Sequence, residues 1–201
     1  MSKAVWLGLM IVLATVSFSY ALTVKGVNLP DAVMAGDENL VLNGAGIRTK
    51  RLAGIVKKDI YVAGLYLKDK SSDAQQIIDA DETMLLRIEI VSSLITSERF
   101  TEATRTGFDE STKGHTAPIQ KEIDRFMSTF SEKIQDGDLF EIVYKKGAGV
   151  QTFKNGGKNP IVTIPGMPIK TALFGIWLGE RSEEDLQKLA RGLLGSAAPG
   201  K

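Results

Sequence analysis

Patterns suited to strands and patterns suited to helices do not alternate along this chain; they come in blocks. Met84–Val91 sets Leu86, Ile88 and Ile90 against Arg87, Glu89 and Val91, the period-two alternation of a strand. Ile60–Leu67 is rich in β-branched and aromatic residues, and Leu40–Leu42 and Leu52–Val56 are short apolar runs around Asn43-Gly44-Ala45-Gly46, which reads as a glycine turn. Asp138–Lys145, Val150–Phe153 and Ile161–Ile164 give three more strands, with turns at Gly147-Ala148-Gly149 and Asn155-Gly156-Gly157. Parallel strands need a crossover, usually a helix, between each pair. Here the helical stretches gather in the middle and at the end instead, so the spacing predicts about six antiparallel strands with helices collected to one side. That is an α+β architecture with a cleft between its layers.

The helical blocks follow from spacing. From Thr96, the apolar or small residues Phe100, Ala103, Thr104, Gly107 and Phe108 share one face. After Pro118, Ile119, Ile123, Phe126, Met127 and Phe130 form a second stripe, with proline placed for a first turn. Asp73–Asp79 has room for two turns capped by Ser71 or Ser72. Thr171–Leu178 is apolar and reads as buried. Ser182 opens a last helix that buries Leu186, Leu189, Ala190, Leu193 and Leu194 and stops at Gly195, leaving Ser196–Lys201 as a tail.

The first 21 residues carry Lys3 as their only charge, an apolar run from Ala4 to Val16, and small residues at Ser19 and Ala21. This is the pattern of a secretory signal peptide, and the run is short for a membrane span of about 20 residues. The expectation is residues 1–21 as a signal peptide and 22–201 as a single domain, exported to a periplasmic or secreted location with no stable membrane anchor after cleavage. The chain has no cysteine and one histidine. That excludes disulfides, thiolate zinc sites, iron–sulfur clusters and multi-histidine metal sites, so no metal and no cofactor is expected. With 25 Lys and Arg against 24 Asp and Glu, and no run of five or six like charges, a nucleic-acid groove is not expected either.

Most polar clusters read as surface. Gly44-Ala45-Gly46 lacks the third glycine and the lysine-plus-hydroxyl ending of a phosphate loop. His115 lies in a polar loop, and Asp79, Asp81 and Glu82 lack calcium-loop spacing. Arg48, beyond the glycines, and Tyr61, on an apolar strand, differ. A guanidinium beside an apolar hollow needs an anion, and its planar fork suits a carboxylate. This reading requires that Arg48 have no acidic neighbour of its own.

Four segments, taken in order, carry a resemblance: Gly44-Ala45-Gly46-Ile47-Arg48, Ile60-Tyr61-Val62-Ala63-Gly64-Leu65-Tyr66-Leu67, Ile95-Thr96-Ser97-Glu98-Arg99-Phe100 and Ala172-Leu173-Phe174-Gly175-Ile176-Trp177-Leu178-Gly179-Glu180. Together they resemble the chalcone isomerase-like superfamily over roughly Leu40 to Leu194. The resemblance implies an open-faced β-sandwich, a large antiparallel sheet covered on one face by helices, with the ligand cleft between. In the plant isomerases an arginine after the glycines holds the substrate, and Arg48 matches it. Their helix carries a tyrosine and an asparagine seven residues apart, where this chain has Phe100 and Gly107. That departure takes away the polar network for enone chemistry. The fatty-acid-binding members pair the arginine with a tyrosine, which Arg48 and Tyr61 resemble. The resemblance therefore implies a non-catalytic binder of a fatty acid or similar amphipathic carboxylate, with Arg48, Tyr61 and Phe100 at the ligand and Leu65 and Leu173 lining the cleft. An intramolecular lyase or isomerase acting on an enone, with Arg48 as its catalytic residue, is the alternative; a module whose cleft is filled by its own side chains is a third reading.

Overall fold

The computed structural model describes residues 20–52, 56–180 and 182–196. The expected signal peptide falls almost wholly outside them. Nine strands and five helices are present among the described residues. A hairpin of β1 (Tyr20–Val24) and β2 (Val27–Pro30) precedes β3 (Ala32–Ala35), β4 (Glu38–Leu52) and β5 (Val56–Leu67). Then come α1 (Ala74–Asp79), β6 (Met84–Ile90), α2 (Ser97–Ser111) and α3 (Gln120–Met127), with 3-10 turns at Ala117–Ile119 and Ser128–Phe130. The chain closes with β7 (Leu139–Lys145), β8 (Gly149–Lys154), β9 (Val162–Ile164), α4 (Met167–Leu178) and α5 (Glu184–Leu193).

Strands β3 to β9 form one seven-stranded sheet in chain order, antiparallel throughout. The helical block between β6 and β7 leaves and returns without disturbing that order, as the blocked sequence pattern requires. The alternation of β6 separates two cores. Leu86, Ile88 and Ile90 face the helices, packing with Phe100, Phe108, Phe126 and Leu173. Leu85 faces the other way, with Val62, Tyr66 and Val143, beneath Val24, Val27 and Leu29 of the β1–β2 hairpin. The second face is thus partly covered, a departure from a fully open sheet.

Three local expectations are corrected. Asn43–Gly46 is no turn; it lies within the 15-residue strand β4. Leu52–Val56 is not one strand: Leu52 ends β4 and Val56 begins β5, paired across the hairpin. The cap of α1 is Asp73, whose carboxylate accepts from the Gln76 amide at 3.0 Å. Thr96 caps α2 by accepting from the Arg99 amide, and Thr171–Leu178 is helical, within α4.

The glycines of β4 have a packing role. A Cβ on Gly44 would run into the Gly192 carbonyl oxygen, and one on Gly192 would meet the Ala45 carbonyl oxygen at 2.5 Å. Helix α5 therefore lies directly on the backbone of β4, glycine against glycine. Asn43 fastens the end of this contact, donating to the carbonyls of Leu193 and Ser71 and accepting from the Ser71 amide. On the far side of the helical layer, Lys170 of α4 is fully buried and donates to the carbonyls of Ile77, Ile78 and Ala80 at 2.7–2.9 Å. It ties α4 to the C-terminal end of α1. Burial lowers its pKa to about 8, against the opposing pull of Asp79, Asp81 and Glu82.

Candidate functional site

Arg48 of β4 and Tyr61 of β5 are direct cross-strand partners, so the register brings together the two residues that the sequence singles out. A register shift between Arg48 and Thr49 leaves Ile60 without a partner on β4, a bulge next to the pair. Tyr61 belongs to the helix-side core and lies edge-on to Phe100 of α2, with ring centroids 6.2 Å apart. Phe100 in turn packs on Phe130 and Phe140. Leu65 and Leu173 are fully buried in the same core.

Arg48, however, has an acidic neighbour of its own, against expectation. Its Nη2 donates to both carboxylate oxygens of Glu183, at 2.7 and 2.9 Å, and its Nη1 donates to the Thr49 carbonyl at 2.7 Å. The arginine side chain is 12% exposed and the glutamate 48%. Glu183 sits at the N-cap position of α5 yet makes no capping bond from its side chain; its carboxylate is spent on Arg48. Two residues on, Asp185 binds Lys57 at 3.3 Å. Burial alone would raise the Asp185 carboxyl, but hydrogen bonds from Thr49 and Lys57 and the charges of Lys57 and Arg48 hold it below the usual carboxylate range. The first turn of α5 is therefore strapped to β4 and β5 through two carboxylates.

The interior beside Arg48 is packed with side chains. Trp177 of α4 donates its indole N–H to the Tyr61 hydroxyl at 2.9 Å, so this phenol already takes part in a buried hydrogen bond. Phe100 is 4% exposed and Trp177 3%. Two surface grooves lie elsewhere, one along α2 beside Ser97, Thr101 and Phe130, the other beside Thr129, Lys154 and Ile161. Neither is lined by Arg48 or Tyr61. A Cβ on Gly107 would come within 2.8 Å of the Ile176 side chain, so the packing of α2 on α4 occupies the place where the isomerases carry an amide.

The other polar clusters are structural in this arrangement. His115 is exposed, and its Nδ1 lies 3.2 Å from the Thr112 carbonyl oxygen. Asp81 accepts from the Tyr144 hydroxyl and pairs with Lys146. Among the described residues, no three of His, Asp and Glu come together as a metal site.

The family model described as chalcone isomerase-like matches residues 21–195. The chain belongs to the chalcone isomerase-like family. Among solved structures, this chalcone isomerase-like chain is similar to a fatty-acid-binding protein of Arabidopsis thaliana. The TM-score is 0.68 at 18% identity, covering 86% of this chain and 95% of that one. At that identity the likeness establishes the fold. No curated protein matches the sequence.

Sequence reasoning missed Glu183 and Trp177. The signal for Trp177 was a single indole in the otherwise donor-free run Ala172–Leu178, since a buried indole N–H needs an acceptor. Glu183 gave no such signal, because it is one of several acids in a helix start.

Proposed function

We propose that this chain is a non-catalytic binding protein for a fatty acid or similar amphipathic carboxylate, exported behind its N-terminal signal peptide. Arg48 receives the carboxylate, with Tyr61 and Phe100 beside it. The observation that carries the reading is the placement of Arg48 directly across from Tyr61 in a chain of the chalcone isomerase-like family that is similar to a fatty-acid-binding protein. The Glu183 carboxylate already held by Arg48 counts against it, and the carrier role requires a ligand to displace that carboxylate. Glu183 occupies the position that the ligand's carboxylate would take. Exchanging one carboxylate for another leaves the charge of the site unchanged, so the net gain must come from burying alkyl chain, about 0.8 kcal/mol per methylene. Opposing it is a tethered competitor, whose effective concentration is on the order of millimolar for a short link. Short acids therefore lose to Glu183 and long ones win. For the chain to enter, Phe100 and Trp177 must turn aside.

The packed interior favours a second reading, a closed module that takes no ligand and uses Arg48–Glu183 as a strap. Titrating the delipidated protein with palmitate separates the two. The binding reading expects saturable uptake that Arg48→Ala weakens by roughly tenfold to a hundredfold, the value of a charge-assisted contact. The closed reading expects no saturable uptake by either protein, and that result would end the carrier proposal. Ring closure of an enone draws no support from Phe100 and Gly107, which offer neither hydroxyl nor amide.

A further inference from the structure

The β4–β5 hairpin runs past the sheet that holds it. Only Tyr61–Leu67 of β5 pair with β6, and only Glu38–Val41 of β4 pair with β3. Thr49–Leu52 and Val56–Asp59 are therefore a two-stranded ribbon extending beyond their neighbours. Its register sets Lys50 opposite Lys58 and Arg51 opposite Lys57, and all four are exposed. Like charges directly opposite one another destabilise a strand pair. Arg48 to Lys58 contains five cations and no acid, in a chain whose net charge is only +1. Glu183 answers Arg48 and Asp185 answers Lys57. Lys50, Arg51 and Lys58 make no ion pair among the described residues. Next to them stands Val56, 52% exposed, one of few large apolar side chains left in solvent.

We propose that this ribbon is a docking surface for an anionic lipid membrane. Strand alternation puts Lys50, Lys58 and the exposed Val56 on one face of the ribbon and Arg51 and Lys57 on the other. A plane of phosphates against the first face therefore meets Lys50 and Lys58 at once, each contributing through the surface potential. An exposed valine among them is of no use against a nucleic-acid backbone but gains by entering the headgroup region. No aromatic residue lies between Arg48 and Lys58, so the stacking platform of a single-strand binder is absent from this segment. The proposal stands whether or not Arg48 takes a carboxylate, because it uses none of the residues at that pair.

The test is co-sedimentation of the purified protein with vesicles of equal parts phosphatidylcholine and phosphatidylglycerol, and with phosphatidylcholine alone. Binding is expected to the anionic vesicles only and to fall as salt rises. The double variant Lys50→Gln, Lys58→Gln should bind roughly twenty-fivefold more weakly, about fivefold per charge. The variant Lys121→Gln, Lys133→Gln removes the same net charge from other exposed positions and should bind as wild type. The double variant should also melt no lower than wild type, because one like-charge opposition is relieved. Equal weakening in both variants, equal binding to neutral vesicles, or preference for a DNA duplex over anionic vesicles would each overturn the proposal.

Discussion

A half-exposed glutamate holding a largely buried arginine is a side chain with two roles available to it, strap or stand-in. The neutral isostere tells them apart. Glu183→Gln keeps the shape and removes the competing anion, so the carrier reading expects palmitate to bind several-fold more tightly, opposite in sign to Arg48→Ala. Loss of palmitate binding in Glu183→Gln would show that the glutamate helps to build the site. The helix should stay in place in this variant, because Asp185, Asn43 and the glycine contacts anchor α5 independently. A second residue invites a different measurement. Tyr66 is fully buried on the other face of the sheet, its hydroxyl has no hydrogen-bond partner among the described residues, and burial pushes its pKa up. An unsatisfied buried hydroxyl costs stability and contributes none. Tyr66→Phe should leave the urea-derived stability unchanged or raise it by about 1 kcal/mol; a clear loss would mean that the hydroxyl is satisfied after all.

At the scale of elements, the helix-on-strand contact is governed by backbone shape and not by apolar area. Gly192→Ala would set a methyl group 2.5 Å from the Ala45 carbonyl and 3.1 Å from the Gly46 Cα. Alanine is the better helix former by about 1 kcal/mol, yet α5 would have to lift from β4. The expected net loss is about 1–3 kcal/mol in chemical denaturation, while Lys188→Ala on the exposed side of α5 should stay within about 0.5 kcal/mol of wild type. This contact also marks where the sequence was readable and where it was not. Period-two alternation placed β6 correctly, and the apolar stripes placed α2 and α5, because those patterns record a local choice of face. Gly44 and Gly46 looked like a turn because a glycine's usual meaning is local, whereas here its cause is a helix some 150 residues further along the chain. The cations of the hairpin were hidden for a related reason. They are split by Leu52–Val56 in sequence and become opposed pairs only through strand register. At the candidate site, Arg48 and Tyr61 were singled out by side-chain chemistry and resemblance, but their cross-strand pairing was hidden because Asn43–Gly46 read as a turn. Glu183 was hidden because nothing local ties an acid at a helix start to one arginine.

Over the whole molecule, acid lability should trace to two buried carboxylates, one beside the start of β5 and one at the start of β7. Asp138 precedes β7, accepts from the Gln135 amide and the Asn155 side chain at 2.9 Å each, and pairs with Lys154 of β8 at 3.1 Å. Burial raises its carboxyl, but those hydrogen bonds and the Lys154 charge outweigh it and hold the pKa below the ordinary value. Asp185 is held low in the same way by Thr49 and Lys57 at the first turn of α5. For a group whose folded pKa lies below its unfolded one, the unfolded chain binds more protons in the interval between them. Its contribution is therefore complete above the unfolded value of about 4 and is lost as pH falls through the folded value. Urea denaturation followed from neutrality downward should give a level stability that drops below about pH 5. In the double variant Asp138→Asn, Asp185→Asn, the molecule should be less stable at neutrality and its acid limb shallower, so that the two curves converge as the wild-type carboxylates protonate. Parallel curves would place the acid-sensitive interactions elsewhere and reduce these two carboxylates to local fastenings. Convergence would mean that β7 to β8, and α5 to β4 and β5, are joined by charge as much as by packing.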